Sequence, residues 1–172
     1  MAAPERIVWA IGHLDIEPGE RLLEIGCGRG VAMALAAERL VDGHIVGLDR
    51  SESAIGSAKD RNHAAIAAGK ASVVLGRLAD YATSGVAFDT VFAINVNLFW
   101  LEAARELAVI RSLLVPRGRL LLFFEPPGAD QISTIERAVA VRLTRAGYQI
   151  DKTVTGQGPR PPLLGIIARP TA

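Results

Sequence analysis

LLEIGCGRG, residues 22–30, is where the reading of this chain begins. A strand-like apolar run ends at Ile25 and a helix-like run begins at Val31, so the stretch reads as strand, tight turn and helix start. Gly26, Gly28 and Gly30 take every second position of the turn. Without a Cβ they open left-handed backbone conformations and let a ligand approach the main chain. The free N–H groups of the first helical turn can then face polar ligand atoms. The spacing separates ligand classes. A dinucleotide fingerprint needs glycines as G-x-G-x-x-G, and its third place here is Val31. The pattern present is G-x-G-x-G, with no Walker-type lysine. Val31 at the helix start argues for an apolar contact in place of a pyrophosphate seat.

Outward from the turn, strand-like runs at residues 21–25, 44–48, 71–75, 89–94 and 119–124 alternate with helix-like runs at 31–40, 51–68, 101–114 and 131–146. Such alternation predicts an α/β sheet. The 31–40 helix is only weakly amphipathic, because Glu38 interrupts the face of Val31, Ala34 and Leu35, so the preceding turn places it. Ser51 suits an N-cap, Glu52 favours the first turn, and Gly69 stops that helix. Leu107, Ile110 and Leu114 share one side of the 101–114 helix, which Pro116 and Arg117-Gly118 break. The apolar run 119–124 is expected of a strand buried on both faces. Residues 148–154 and 163–168 read as a terminal strand pair around GQGPRPP. Residues 4–16 read as a short helix on the sheet rim, with Ile7, Trp9, Ile11 and Leu14 as its apolar residues. With neither repeat nor linker, residues 1–172 are expected to form one domain, residues 1–18 being its N-terminal rim segment.

Half of the residues are hydrophobic but only 5% are aromatic, so Ala, Val, Leu and Ile are expected to build the core. The charge is balanced, 19 basic against 18 acidic residues, and no basic stripe argues for a nucleic-acid partner. Apolar runs are too short to span a bilayer, the N-terminus lacks an export pattern, and Cys27 has no second cysteine to pair with. A cytoplasmic setting without a membrane partner is expected.

Asp49 ends the run HIVGL and precedes the helix at Ser51. A carboxylate at a strand's carboxyl end can accept bonds from both ribose hydroxyls, each contributing about 1.5–3 kcal/mol. It lies 19 positions past Gly30, near the spacing of a ribose acid in a βαβ unit. A nicotinamide cofactor predicts the same acid, so the glycine pattern is what discriminates.

LLEIGCGRG resembles the first motif of the class I S-adenosylmethionine-dependent methyltransferases, and the likeness runs from Glu20 to about Pro127. It implies a three-layer α/β sandwich whose mostly parallel seven-stranded sheet ends in an antiparallel hairpin. It implies S-adenosylmethionine as cofactor, S-adenosylhomocysteine as product, and no metal. Carried over residue by residue, Glu24, Gly26, Cys27, Gly28 and Gly30 surround the methionine part, and Asp49 and Arg50 lie at the ribose. In GRLAD, residues 76–80, the family usually has an acid directly after the glycine; here Arg77 stands there, so Asp80 or the main chain at Leu78 and Ala79 takes the adenine contact. In FDTVFAINVNLFW, residues 88–100, Asp89 opens the strand as a structural residue, Asn95 falls beside the methyl-transfer point, and Val96 and Asn97 line the mouth. Phe99 and Trp100 either wall the acceptor pocket or pack in the core.

A sulfonium methyl is already activated, so the protein's work is positioning and exclusion of water. A general base is needed only for an acceptor that is protonated at neutral pH. His13 and Glu125 are the candidates on the acceptor side, each with an equally plain structural reading. His44 and His63 read as structural or solvated, Tyr81 is unplaced, and no catalytic residue is named. The acceptor is expected to be a small molecule bound by the N-terminal segment and the strand-end loops. Two alternatives stay open: a non-catalytic S-adenosylmethionine-binding module of the same fold, and an NAD-dependent oxidoreductase, against which Val31 argues.

Overall fold

The computed structural model describes residues 2–81, 86–156 and 162–171. Strands β1 (Arg21–Ile25), β2 (His44–Asp49), β3 (Ala71–Leu75), β4 (Phe88–Ile94), β5 (Leu114–Phe124), β6 (Tyr148–Gly156) and β7 (Leu163–Pro170) form one seven-stranded sheet ordered β3-β2-β1-β4-β5-β7-β6. β1 to β5 pair in parallel, and β7 inserts antiparallel between β5 and β6. This is the sheet the family resemblance implied. Strand order reverses direction between β1 and β4, which opens a crevice at their carboxyl ends.

Helices cover both faces, so strand residues alternate between two apolar layers. Leu22, Ile45, Phe92 and Phe123 pack beneath α1 (Glu5–Gly12), α2 (Val31–Ala37) and α3 (Glu52–Arg61). Leu23, Val91, Leu120 and Leu122 pack on the other face, with α6 (Ala104–Leu113) and α7 (Ile132–Arg145). The core is built mainly of Ala, Val, Leu and Ile, as expected, and the few aromatics join it. All five phenylalanines are buried, and Phe88, Phe92, Phe99 and Phe123 are among the largest fully enclosed side chains. Few aromatics suffice because β4 and β5 concentrate them at the centre of the sheet.

Several element limits differ from the sequence reading. The helix expected over 51–68 divides at the buried Asn62 into α3 and α4 (His63–Ala67). The helix expected over 101–114 is α5 (Leu98–Leu101) followed by α6, because Glu102 is extended at φ −157° and ψ 120°. Leu114 already belongs to β5, which passes through Pro116 and Gly118 where its pairing with β4 shifts register between Phe88 and Thr90. An irregularity of this kind accommodates a residue without an N–H and a left-handed Arg117 at φ +69°. Residues 157–161 of the GQGPRPP stretch lie outside the described residues.

Polar staples hold the amino ends of the strands. Asp89, expected to be structural, accepts the Arg21 N–H at 2.8 Å, and Arg119 donates to Glu20 at 2.9 Å and to Thr90 at 3.0 Å. His44 is likewise structural: its Nδ1 donates to the Gly69 carbonyl at 2.8 Å, leaving Nε2 to accept from Ser72 at 2.9 Å.

On the far edge, Tyr148 buries its hydroxyl against the Leu107 carbonyl at 2.8 Å and so ties β6 to α6. Tyr148→Phe is expected to lower unfolding stability by about 1 kcal/mol, read from urea midpoints at constant m-value, since one net hydrogen bond is lost and no cavity forms.

Candidate functional site

The turn after β1 is held from several sides. The Leu48 carbonyl, at the end of β2, accepts the Gly26 N–H at 2.7 Å and the Cys27 N–H at 3.1 Å. Asp49 Oδ2 accepts the Gly28 N–H at 2.9 Å, and its Oδ1 accepts the Ser51 N–H at 2.9 Å. The Cys27 carbonyl accepts the Gly30 N–H at 2.9 Å. Gly26, Gly28 and Gly30 all have positive φ, +70°, +53° and +71°. At Gly26 an added Cβ would lie 2.7 Å from Val96 Cγ2, and at Gly30 it would run into Asn62 and Ala58. Close approach, as well as left-handed backbone, therefore demands glycine at both ends of the turn.

Above the turn lies a cavity of about 730 Å³ at the β1–β4 crevice. Gly26, Asp49, Arg50, Leu78, Ala79, Asn95 and Val96 line it, seven of the positions expected at a cofactor. Asp49 is half-buried at its edge, and its carboxylate, with about four acceptor positions, has used two on the turn. Leu78 and Ala79 belong to a short 3-10 helix, Leu78–Asp80, that closes one end. Asp80, offered as the adenine-side acid, is shared with Arg105 of α6 at 3.2 Å, and Arg105 also reaches the Ala79 carbonyl at 3.3 Å.

The other motif residues stand behind the turn. Glu24 is 3% exposed beneath the start of α2, and its Oε2 has no hydrogen-bond partner among the described residues. Burial pushes its carboxyl well above the usual range; the Met33 amide lowers it in part, and the Asp49 charge raises it further. Cys27 faces inward, and its Sγ would lie 3.0 Å from a Cβ added at Gly47. Burial, with the Glu24 and Asp49 charges, pushes the Cys27 thiol up to about 12, so it is no nucleophile at neutral pH. Gly28 and Gly30 shape the turn without lining the cavity.

On the acceptor side, Asn95 is left-handed at φ +57°, a conformation asparagine tolerates better than most residues. Its N–H donates to the Phe123 carbonyl at 2.8 Å, and its Oδ1 accepts the Glu125 N–H at 2.6 Å. Glu125 does not line the cavity; it meets Arg6 of α1 at 3.3 Å, which ties the N-terminal helix to the end of β5. His13 does not line the cavity. It sits one residue beyond α1, with Nδ1 donating to the Trp9 carbonyl at 2.9 Å and its ring 6.5 Å from Phe123. Phe99 is 1% exposed and belongs to the core, and Trp100 packs against that core with its indole N–H toward Asn97. Neither walls the cavity.

The sequence reading missed Leu101, Arg105 and Glu106, which line the cavity, and Asn62, which supports the turn. Only Asn62 carried a signal, a poor helix former in the middle of an apparent helix. Tyr148 and Lys152 have the Tyr-x-x-x-Lys spacing of some oxidoreductases, but they sit on edge strand β6 and the tyrosine hydroxyl is consumed by Leu107.

A family profile described as a methyltransferase domain matches residues 23–120. The chain belongs to the S-adenosylmethionine-dependent methyltransferases. This methyltransferase is 26% identical over 145 residues to the uncharacterized methyltransferase YdaC of Bacillus subtilis, covering 82% of this chain and 78% of that protein. It is 30% identical over 165 residues to a trans-aconitate 2-methyltransferase of Methylobacterium radiotolerans, covering 94% of this chain and 57% of the relative. It thus spans little more than half the length of that second relative. Among solved structures, the magnesium protoporphyrin IX methyltransferase of Synechocystis with bound S-adenosylmethionine superposes with a TM-score of 0.72 at 22% identity, over 96% of this chain and 76% of the other. At that identity the likeness speaks to the fold. Among the described residues, no helix of this methyltransferase is long and apolar enough to cross a membrane.

The buried Glu24 gives a signed pH effect. A raised folded value favours the protonated form, so the associated stability is complete below the ordinary carboxyl range and is lost as pH rises through the folded value. Glu24→Gln keeps an acceptor for the α2 amides without the charge. Its stability relative to the natural chain is expected to grow between about pH 5 and about pH 8, measured by urea unfolding at both ends.

Proposed function

We propose that this chain binds S-adenosylmethionine in the β1–β4 crevice and passes its methyl group to a small-molecule acceptor. The observation that carries the reading is Asp49, whose carboxylate fixes the glycine turn and still presents free acceptor positions at the edge of the cavity. Gly26, Asn95 and Val96 would hold the amino-acid part, Asp49 the ribose hydroxyls, and Leu48, Leu78 and Ala79 the apolar faces of the base. When bound, the cofactor supplies an activated sulfonium methyl group open to in-line displacement. The chain's own contribution is orientation and exclusion of water by a preformed turn.

The acceptor would enter past Asn97 and the Arg6–Glu125 pair, between the strand ends and the start of α1. His13 does not line the cavity, so it is not placed to act as a general base there. The trans-aconitate and magnesium protoporphyrin IX methyltransferases named above differ in acceptor by their own descriptions, and the shared fold does not choose between them.

Calorimetry is expected to show S-adenosylmethionine and S-adenosylhomocysteine binding in the micromolar range, on the order of 8 kcal/mol, with no heat from NAD. Asp49→Ala removes the ribose acceptor and loosens Gly28 and Ser51, so affinity is expected to fall at least about tenfold. Absence of heat with either sulfur compound, or equal affinity in Asp49→Ala, would remove the proposed site.

A further inference from the structure

The face of the glycine turn away from Asp49 is gripped by two consecutive residues of one helix end. Arg61 Nε donates to the Arg29 carbonyl at 3.1 Å. Asn62 Nδ2 donates to the Gly30 carbonyl at 3.0 Å and to the Ala58 carbonyl at 2.9 Å. Arg29 and Gly30 are the last two residues of the turn, and Gly30 is the N-cap of α2 with no side chain of its own to offer. Asn62 is 2% exposed, and its Oδ1 has no partner among the described residues. A leucine or methionine would fill that space without leaving a buried oxygen unsatisfied. What asparagine adds is its pair of N–H donors, and one of them is aimed at the turn.

We infer that Arg61 and Asn62 are positioning residues for the cofactor, a two-point clasp that sets the 29–31 peptides before the ligand arrives. The Gly30 carbonyl also takes the Ala34 N–H at 3.1 Å, the first hydrogen bond of α2. Fixing that carbonyl fixes the plane of the Gly30–Val31 peptide and the direction in which the first N–H groups of α2 point. Asp49 holds the turn through Gly28 on one side, while Arg61 and Asn62 hold it through Arg29 and Gly30 on the other. The division of the helix at Asn62 follows from the same contact. With φ −100° and ψ 13°, the residue leaves regular helical geometry at the point where its side chain reaches across to Gly30. A preformed turn lowers the ordering cost of binding, so the clasp should act on affinity.

The inference rests on S-adenosylmethionine as the ligand of the cavity, and one experiment separates the two claims. Calorimetry with S-adenosylhomocysteine is run on the natural chain, Asn62→Asp and Arg61→Ala at a temperature where each is folded, with thermal midpoints recorded alongside. Asn62→Asp keeps the shape but replaces both N–H donors by a carboxylate. Its dissociation constant is expected to rise roughly tenfold, and that of the exposed Arg61→Ala about threefold. Lowering the pH protonates the introduced carboxyl and returns one donor. The ratio of the Asn62→Asp constant to the natural one should therefore fall toward unity, a recovery that damage to packing alone would not give. Unchanged affinity in both variants, with or without lower midpoints, overturns the clasp while leaving the cofactor reading intact. Should Asn62→Asp fail to fold, unchanged affinity in Arg61→Ala overturns it alone. No heat from the natural chain overturns both claims together.

Discussion

One carboxylate on β2 carries the backbone of the turn that follows β1. Asp49 takes the amide of Gly28 with one oxygen and the amide of Ser51 with the other, so the end of one βα unit and the start of the next are fastened to the same side chain. The arrangement depends on β1 and β2 being neighbours in register, with Ile25 opposite Leu48, because that register brings the Leu48 carbonyl under Gly26 and Cys27. Three left-handed glycines in five residues leave the backbone of the turn with little conformational preference of its own. Anchored to β2 and α3, Gly28 and Gly30 hold the turn from behind while Gly26 lines the cavity. The cavity exists because the turn can neither relax into it nor admit a Cβ at Gly26.

Two acids near this turn take opposite characters from their surroundings. Asp49 lies at the cavity edge, where two backbone amides hold it and solvent reaches it. Glu24 is enclosed one layer below, with an oxygen lacking any partner among the described residues, and desolvation drives it toward the neutral form. The same enclosure leaves Cys27 a protonated, inward-facing thiol. Desolvation thereby keeps charge away from the interior that supports the turn.

The opposite wall is built with a different device. Asn95 adopts a left-handed conformation that its amide side chain helps to stabilise by accepting from Glu125, which stitches the ends of β4 and β5 together. Because Glu125 also meets Arg6, the N-terminal helix is attached to the same strand end. The single, partly exposed ion pair is a weak link of the kind worth less than about 1 kcal/mol. The apolar seat of Ile11 and Leu14 therefore does most to hold the segment in place.

Local patterning was enough for the parts of this protein that are local. The glycine turn, its flanking strand and helix, the acid at the end of β2 and the alternation of elements could all be read along the chain, because turn conformation and strand burial follow from nearby residue types. Lateral relations could not. Phe99 and Trp100 look equally suited to a pocket wall or a core, and only the packing of α5 against α7 and the sheet places them inward. Asn62 and Arg105 act on segments 32 and 26 residues away, and nothing in their own neighbourhood marks the target. The residue types around residues 22–30 thus determined which backbone shapes were open. Tertiary structure decided which carbonyls and amides were left to face a ligand, since every main-chain polar group that is buried must find a partner, and those partners come from distant parts of the chain.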